Sequence, residues 1–326
     1  LHVSHDTMQY ENMNLEKQLK QFWDLETLGI CDEEPSLYDK FLETVSYDGT
    51  RYQVRLPWKE LHATLPNNFD LSQRRLSGLL KRLKHDPEIL QEYDTIIRNQ
   101  IESNIVEVVE APFSPTTSKV HYIPHHPVIR RDKTTSKLRI VYDASAKTNG
   151  ESLNDCLYAG PAFGQCILDI LLRFRVHKVA FAADIEKAFL MVSIAKEDRD
   201  VLRFMWIDSI EKSLPQIVVL RFTRVAFGVS SSPFLLNATI RHHMTKHSKE
   251  DPAFVEKFLR SIYVDDIVSG ADDTEEAYQS YTRAKHILRD GGFNLRKLIS
   301  NQAILRDRTI QGSREEDIPA NRSSCC

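Results

Sequence analysis

Apolar positions along the chain change period several times, and each change marks an element. From Leu71 onward, Leu76, Leu79, Leu80 and Leu83 recur at the three- and four-residue spacing of one helix face. After Pro87 a second helical stripe runs through Ile89, Tyr93, Ile96, Ile97 and Ile101. Between Lys119 and Ala144 the pattern shortens to β-type runs, HYIPHHPVI and LRIVYDA, separated by the polar turn DKTTSK, which predicts a hairpin. LRFMWI and IVVLRF, flanking a polar loop near Ser213, predict another. The apolar run from Lys178 to Ile185 reads as a buried strand with an acid, Asp184, at its tip, and SIYVDDIVSG reads as strand, acidic tip and returning strand. A helix is expected from Ser230, Ser231, Ser232 and Pro233 to about Lys246, because serine hydroxyls can cap free N–H groups and proline suits the first turn. Another should run from Asp273 to Arg289 and stop at Gly291 and Gly292. This order predicts an α+β fold whose antiparallel sheet is flanked by helices.

Before these elements, the stretch to about Tyr47 reads as an acidic linker with one amphipathic helix around Leu15 to Leu25, and Pro57 and Pro66 punctuate an extended segment. Charge sharpens that division. Residues 1–50 carry eleven acids against Lys17, Lys20 and Lys40, a net charge of −8, while the whole chain carries −3. The segment 119–147 is basic, with Lys119, Arg130, Arg131, Lys133, Lys137, Arg139 and Lys147 against Asp132 and Asp143. Such a stretch suits a phosphate backbone or a triphosphate, though on charge alone a solvated hairpin rim is the commoner reading. At 41% hydrophobic and 27% charged residues in 326, the composition is globular, and no run has the length of a membrane span. Five cysteines at 31, 156, 166, 325 and 326 contain no CxxC pair. A reducing, intracellular address, cytoplasmic or nuclear, is therefore expected, without a membrane partner. The chain opens at Leu1 with no readable secretory leader, so a fragment boundary is expected there.

The string Tyr263, Val264, Asp265 and Asp266 carries the most chemistry. Two adjacent carboxylates at a hairpin tip repel unless a cation lies between them, and a divalent metal is the usual solution. If the strand ending at Asp184 neighbours this hairpin, Asp184 and Asp265 converge on one point at an edge of the sheet, as two-metal phosphoryl transfer requires.

LRIVYDAS, SLNDCLYAGP, ADIEKAFLMV, FGVSSSPFLLN, YVDD and GGFNLRK, in this order, resemble the reverse transcriptases of retroelements, most closely those of Bel/Pao-type LTR retrotransposons. The resemblance spans about residues 50 to 305 and implies the fingers and palm of a right-handed polymerase: an acidic extension (1–50), mainly fingers with the start of the palm (51–183), palm (184–305) and a divergent polar tail (306–326). It implies that Asp184, Asp265 and Asp266, with the Ile185 carbonyl, hold two magnesium ions, with manganese as the alternative. Magnesium suits hard oxygen donors in a site without nearby His or Cys. It implies that Phe189 lies under the incoming sugar and excludes a 2′-hydroxyl. Arg139, assisted by Lys133 or Arg131, would clamp the triphosphate through a planar guanidinium fork. Phe227, where relatives often carry Gln, and Gly228 would pack against the nascent base pair, and Lys297 would protonate the leaving pyrophosphate. Arg130, Arg131, Tyr263 and Val264 would contact nucleic acid. The implied partners are an RNA or DNA template with its primer, and dNTPs.

Each of these residues also has a plain alternative: Phe189 as core, Lys297 as a solvated strand lysine, Asp184 as a strand-end acid. His121, His125, His126, His242, His243 and His247 read as structural, and Cys156 and Cys166 as packed thiols. After Leu305 the family pattern stops, Leu298 stands where relatives commonly have Trp, and no thumb is readable. Truncation is therefore expected. The rival functions are a catalytically inactive nucleic-acid-binding remnant and an RNA-directed RNA polymerase, against which Phe189 argues.

Overall fold

The computed structural model describes residues 36–113, 119–129, 138–161, 163 and 167–316. The segment 1–35, with the helix predicted near Leu15 to Leu25, lies outside the described residues, as do Arg130, Arg131, Lys133, the DKTTSK turn, Cys166 and residues 317–326. The chain divides after Lys40. Residues 36–40 open helix α1 (Leu37–Thr44), where Ser36 and Asp39 exchange hydrogen bonds.

The second unit, from Phe41 onward, is mixed α+β, with antiparallel sheets flanked by helices. β1 (Ser46–Tyr47) and β2 (Tyr52–Val54) form a hairpin, and β2 pairs in parallel with β7 (Ser193–Ile194). Residues up to 50, grouped with the acidic linker on their charge, are thus partly built into the body. Tyr52 and Val54 are buried while Gln53 between them is half-exposed, a short half-buried strand. Helices α2 (Phe69–Leu83) and α3 (Pro87–Glu102) match the two apolar stripes, burying Leu76, Leu79 and Leu83, and then Tyr93 and Ile97. Asp86 caps α3 by accepting from the Ile89 N–H at 3.2 Å, with Pro87 in the first turn.

Both predicted hairpins form. β4 (His125–Ile129) pairs with β5 (Leu138–Tyr142), and β8 (Arg203–Ile207) pairs with β9 (Ile217–Phe222), which also carries β3 (Val106–Val108). A one-turn helix α4 (Leu153–Cys156) and helix α5 (Ile167–Val176) lead to β6 (Val179–Ile185). Helix α6 (Ser232–Thr245) begins at the predicted SSSP string, but not by serine capping. Ser231 at the N-cap is itself helical and makes no side-chain cap bond, while the Ser232 hydroxyl donates to the Ala226 carbonyl at 2.6 Å. After α7 (Pro252–Leu259) come β10 (Ile262–Tyr263), β11 (Asp266–Ala271), α8 (Thr274–Asp290), β12 (Leu295–Ser300) and α9 (Ala303–Glu316). The four-stranded sheet runs β10-β11-β6-β12, all antiparallel. The division expected at 183/184 falls inside β6. Among the described residues no helix is long and apolar enough to cross a membrane.

An aromatic cluster joins the β4–β5 hairpin to the β8–β9 sheet and α3. Tyr93 stacks on Trp206 with ring centroids 4.8 Å apart, and Tyr142 sets its edge against Phe222 at 4.7 Å. His125 is buried in their midst. Its Nδ1 pairs with the Tyr93 hydroxyl, and its Nε2 lies 2.8 Å from the Met205 carbonyl. A carbonyl only accepts, so Nε2 carries the proton and the tyrosine donates to Nδ1. Burial pushes the imidazole down to about 4, against the opposing pull of the Met205 carbonyl.

Folded His125 therefore stays neutral where the unfolded chain would take up a proton. Its contribution to stability is complete above the ordinary histidine value and is lost as pH falls from there through about 4. Urea unfolding is expected to show this as a slope of up to about 1.4 kcal/mol per pH unit for each such histidine. His125→Gln should remove one histidine's share, and an unchanged slope would place the titration elsewhere.

Candidate active site

Strand β6 alternates buried and half-buried positions from Val179, and its last pair, Asp184 and Ile185, reaches the end of the sheet. The register sets Asp184 opposite Asp266 on β11 and opposite Arg296 on β12. Directly opposed residues in an antiparallel ladder present their side chains on the same face. Two carboxylates and a guanidinium therefore share one face of the sheet. Because β6 is an interior strand, they meet at the strand ends and not at an edge of the sheet as expected.

Asp265 sits in the two-residue loop Val264–Asp265 that joins Tyr263 to its cross-strand partner Asp266. Its carbonyl accepts from the Ile185 N–H at 2.9 Å, which carries the ladder one step past Asp266. Val264 takes φ +56°, a left-handed conformation that tight hairpins require and that a β-branched residue resists at a cost of about 1–3 kcal/mol. Tyr263 beside it is 39% exposed.

Lys297 is brought to the same place by an irregularity. β12 shifts register between Arg296 and Ile299, and Lys297 has φ +55°. In a regular strand, neighbours 296 and 297 would face opposite sides, and a bulge is a means of re-aiming one of them. The Lys297 Nζ lies 3.5 Å from Asp184 Oδ2, while Arg296 Nη1 pairs with Glu186 Oε1 at 2.6 Å. Arg296 and Glu186, which lie inside GGFNLRK and ADIEKAFLMV but take no site role from the resemblance, frame Asp184 with charge. The opposed register of Arg296 and Asp184 is the signal that finds them, and it appears only once the strands are paired.

The next residues build a second wall. The chain leaves β6 through Lys187 at φ +49° into the 3-10 turn Ala188–Met191. Phe189, 6% exposed, meets the edge of Phe227, 53% exposed, with centroids 4.7 Å apart. Gly228 has φ +96°, and a Cβ there would lie 2.0 Å from the Tyr142 carbonyl oxygen, so only glycine fits. Tyr142 ends β5, the strand that carries Arg139 on an exposed position. Asn154 secures this junction, donating through Nδ2 to the Gly228 carbonyl at 3.1 Å and accepting from the Ser230 N–H at 2.8 Å. The string around Asn154 is part of the family resemblance, yet nothing in it points to this clasp. Arg130, Arg131 and Lys133 lie outside the described residues.

Electrostatics favour a cation at the three aspartates. Burial raises the pKa of Asp265, and the Asp184 charge adds to the effect. Asp266 is raised by burial and by both neighbouring carboxylates, with Lys297 opposing. The donors are hard oxygens, which suit magnesium. The three aspartates stand more widely spaced than the one trio of metal-ligating types found within 4.8 Å of one another among the described residues, His62, Glu151 and Cys156. Wide spacing is what repulsion between like charges favours.

No family model matches this chain, and no curated protein does. Among the solved structures similar in shape are three of foamy viral protease-reverse transcriptases. The foamy viral protease-reverse transcriptase in complex with double-stranded DNA aligns at TM-score 0.47 and 21% identity, over 64% of this chain and 30% of that one. The same protein with an RNA/DNA hybrid aligns at 0.46 and 22%, over 65% and 23%. A prototype foamy virus protease-reverse transcriptase mutant aligns at 0.46 and 20%, over 64% and 24%. This chain thus spans less than a third of their length.

Because Asp265 and Asp266 titrate higher in the folded chain than in the unfolded one, their ionisation costs stability. That cost sets in as pH rises through the unfolded value and is complete above the folded one. Asp265→Asn and Asp266→Asn should therefore each raise Tm at neutral pH without divalent ions. Magnesium should raise Tm in the wild type and less in either variant. An equal magnesium shift in all three proteins would show that the ion binds elsewhere.

Proposed function

We propose that this chain is the polymerase portion of a reverse transcriptase of Bel/Pao-type retrotransposon origin. It would be an RNA-directed DNA polymerase that adds dNTPs to a primer 3′-hydroxyl on an RNA or DNA template. The observation that carries this reading is the opposed register of Asp184 and Asp266 at the end of an antiparallel sheet, with Asp265 in the adjoining hairpin loop. Asp265 and Asp266 have no evident use in holding the fold, since burial and neighbouring charge both disfavour their ionised forms.

Asp184, Asp265, Asp266 and the Ile185 carbonyl would hold two magnesium ions. Such ions lower the pKa of the attacking hydroxyl and neutralise the leaving pyrophosphate. The chain's own groups do the rest. Lys297, poised beside Asp184, supplies a proton-bearing ammonium for the leaving group. Phe189, its ring backed by Phe227, fills the space a ribose 2′-hydroxyl would need. Arg139, exposed on β5, offers a guanidinium to phosphate oxygens, and Phe227 offers an aromatic face to the nascent pair. Gly228 lets that loop pass close against the Tyr142 carbonyl.

Primer extension on an RNA template with magnesium tests the reading. Asp265→Asn should abolish extension while leaving binding of the template-primer nearly intact. Phe189→Val should raise use of ribonucleotides relative to deoxynucleotides at least tenfold, equivalent to about 1.4 kcal/mol of discrimination. Extension that persists in Asp265→Asn would sink the assignment. Binding without extension in the wild type would favour the inactive remnant, and ribonucleotide preference in the wild type would favour an RNA-directed RNA polymerase.

A further inference from the structure

Outside the aspartate site, a second set of ligand-type side chains converges where the loop before α2 meets α4. His62, half-buried Glu151 and buried Cys156 bring ligand atoms within 4.8 Å of one another. The backbone beneath them is tied down. Lys59 N–H donates to the Cys156 carbonyl at 3.0 Å, Tyr158 N–H donates to the Pro57 carbonyl at 2.9 Å, and Trp58 bridges to Leu157. On the other side, the Ser152 and Asp155 capping box holds the turn between Glu151 and Cys156 closed.

His62 and Glu151 are set in forms that can ligate a metal, and the Cys156 thiol must give up its proton to do so. His62 Nδ1 is 2.7 Å from the Ala63 carbonyl, and Nε2 is 3.1 Å from Lys119 Nζ. A carbonyl only accepts and an ammonium only donates, so Nδ1 carries the proton and Nε2 offers its lone pair. An imidazole whose other nitrogen donates to a backbone carbonyl is the usual orientation of a metal-bound histidine. Glu151 Oε2 accepts from the Ala63 N–H at 3.2 Å and from the Cys156 thiol at 3.4 Å. A ligating carboxylate is commonly braced in the same way. The thiol is protonated in this arrangement, and burial with the adjacent Glu151 pushes it up to about 11. A cation between thiol and carboxylate would reverse that preference, releasing the thiol proton to solvent.

We propose that His62, Glu151 and Cys156 form a zinc site with one open position. Zinc accepts a thiolate, an imidazole and a carboxylate together, whereas the thiolate and imidazole are softer donors that magnesium does not favour. Three ligands of a tetrahedral zinc lie about 3.5 Å apart, so side-chain rotation of about 1 Å closes the trio. Lys119, whose ammonium now faces Nε2 and lies 4.4 Å over the Trp58 ring, must withdraw as the ion enters. The site also shares its short helix with Asn154, which holds Gly228 and Ser230, so an ion here would brace the loop that carries Phe227.

The test uses the full chain with Cys31, Cys166, Cys325 and Cys326 changed to serine, so that Cys156 is the sole thiol. Zinc is titrated against a chelating dye, and cobalt(II) is followed by absorption. With excess magnesium present to fill the aspartate site, one equivalent should bind, with a thiolate-to-cobalt charge-transfer band. His62→Ala and Glu151→Gln should each weaken zinc at least tenfold, and Cys156→Ser should abolish the band. If Cys156→Ser does not fold, as judged by circular dichroism, the two other variants decide. Absence of zinc binding in the serine background, cobalt bound without a thiolate band, or affinity unmoved by His62→Ala would overturn the site. Primer extension is not needed for any of these readings, so the polymerase assignment stands or falls separately.

Discussion

Carboxylates placed opposite one another in an antiparallel ladder repel, and the end of strand β6 is organised around keeping such a pair in place. Asp184 faces Asp266 across the ladder, and Asp265 follows in a loop too short to let it leave. Burial raises the cost of ionising Asp265 and Asp266, so the fold must hold them by other means. Backbone bonds supply that means. The Ile185 N–H clasps the Asp265 carbonyl at 2.9 Å, and the partner strand delivers Lys297 and Arg296 as compensating charges. Strain at Val264 and at Lys297, both with positive φ, is tolerated because strands on either side fix the positions.

The second wall depends on contacts of a different kind. Gly228 abuts the Tyr142 carbonyl, and Tyr142 is locked into the aromatic cluster by Phe204 and Phe222. The loop carrying Phe227 is therefore positioned by the core of the β8–β9 sheet and not by its own hydrogen bonds alone. Asn154 adds a polar clasp from the opposite side, with its own N–H donating to the Ala144 carbonyl at 3.1 Å. A hairpin, a one-turn helix and a loop distant in sequence thus meet through backbone groups.

Elements set by local pattern are legible in the order of residues alone. The stripes of α2 and α3, the proline in the first turn of α6, the start of α8 at Asp273 and both hairpins follow from spacing and turn chemistry. Asp184, Asp265 and Asp266 stand out because two adjacent acids sit at a hairpin tip while a third ends an apolar strand, in an order that the other motifs share. What stays hidden is imposed by partners far along the chain. No glycine or proline announces the bulge at Lys297, so a solvated strand lysine is an equal reading until β12 is paired with β6. The contribution of Tyr52 and Val54 to a sheet is hidden because the strand is three residues long and its parallel partner Ser193–Ile194 is far along the chain. Likewise His62 gives no sign in sequence of lying near Glu151 and Cys156, since two separate loops must first be tied together.

The position of β6 between β11 and β12 also bears on how the chain survives its own synthesis. β6 emerges well before either partner, and both of its sides are long-range pairings, which form slowly. Until Leu295–Ser300 arrives, one side of a largely apolar strand is an unpaired edge, a template on which another copy could align. A chain stopped before Leu295 would keep all three aspartates and lose that cover, so its first failing would be self-association and not chemistry.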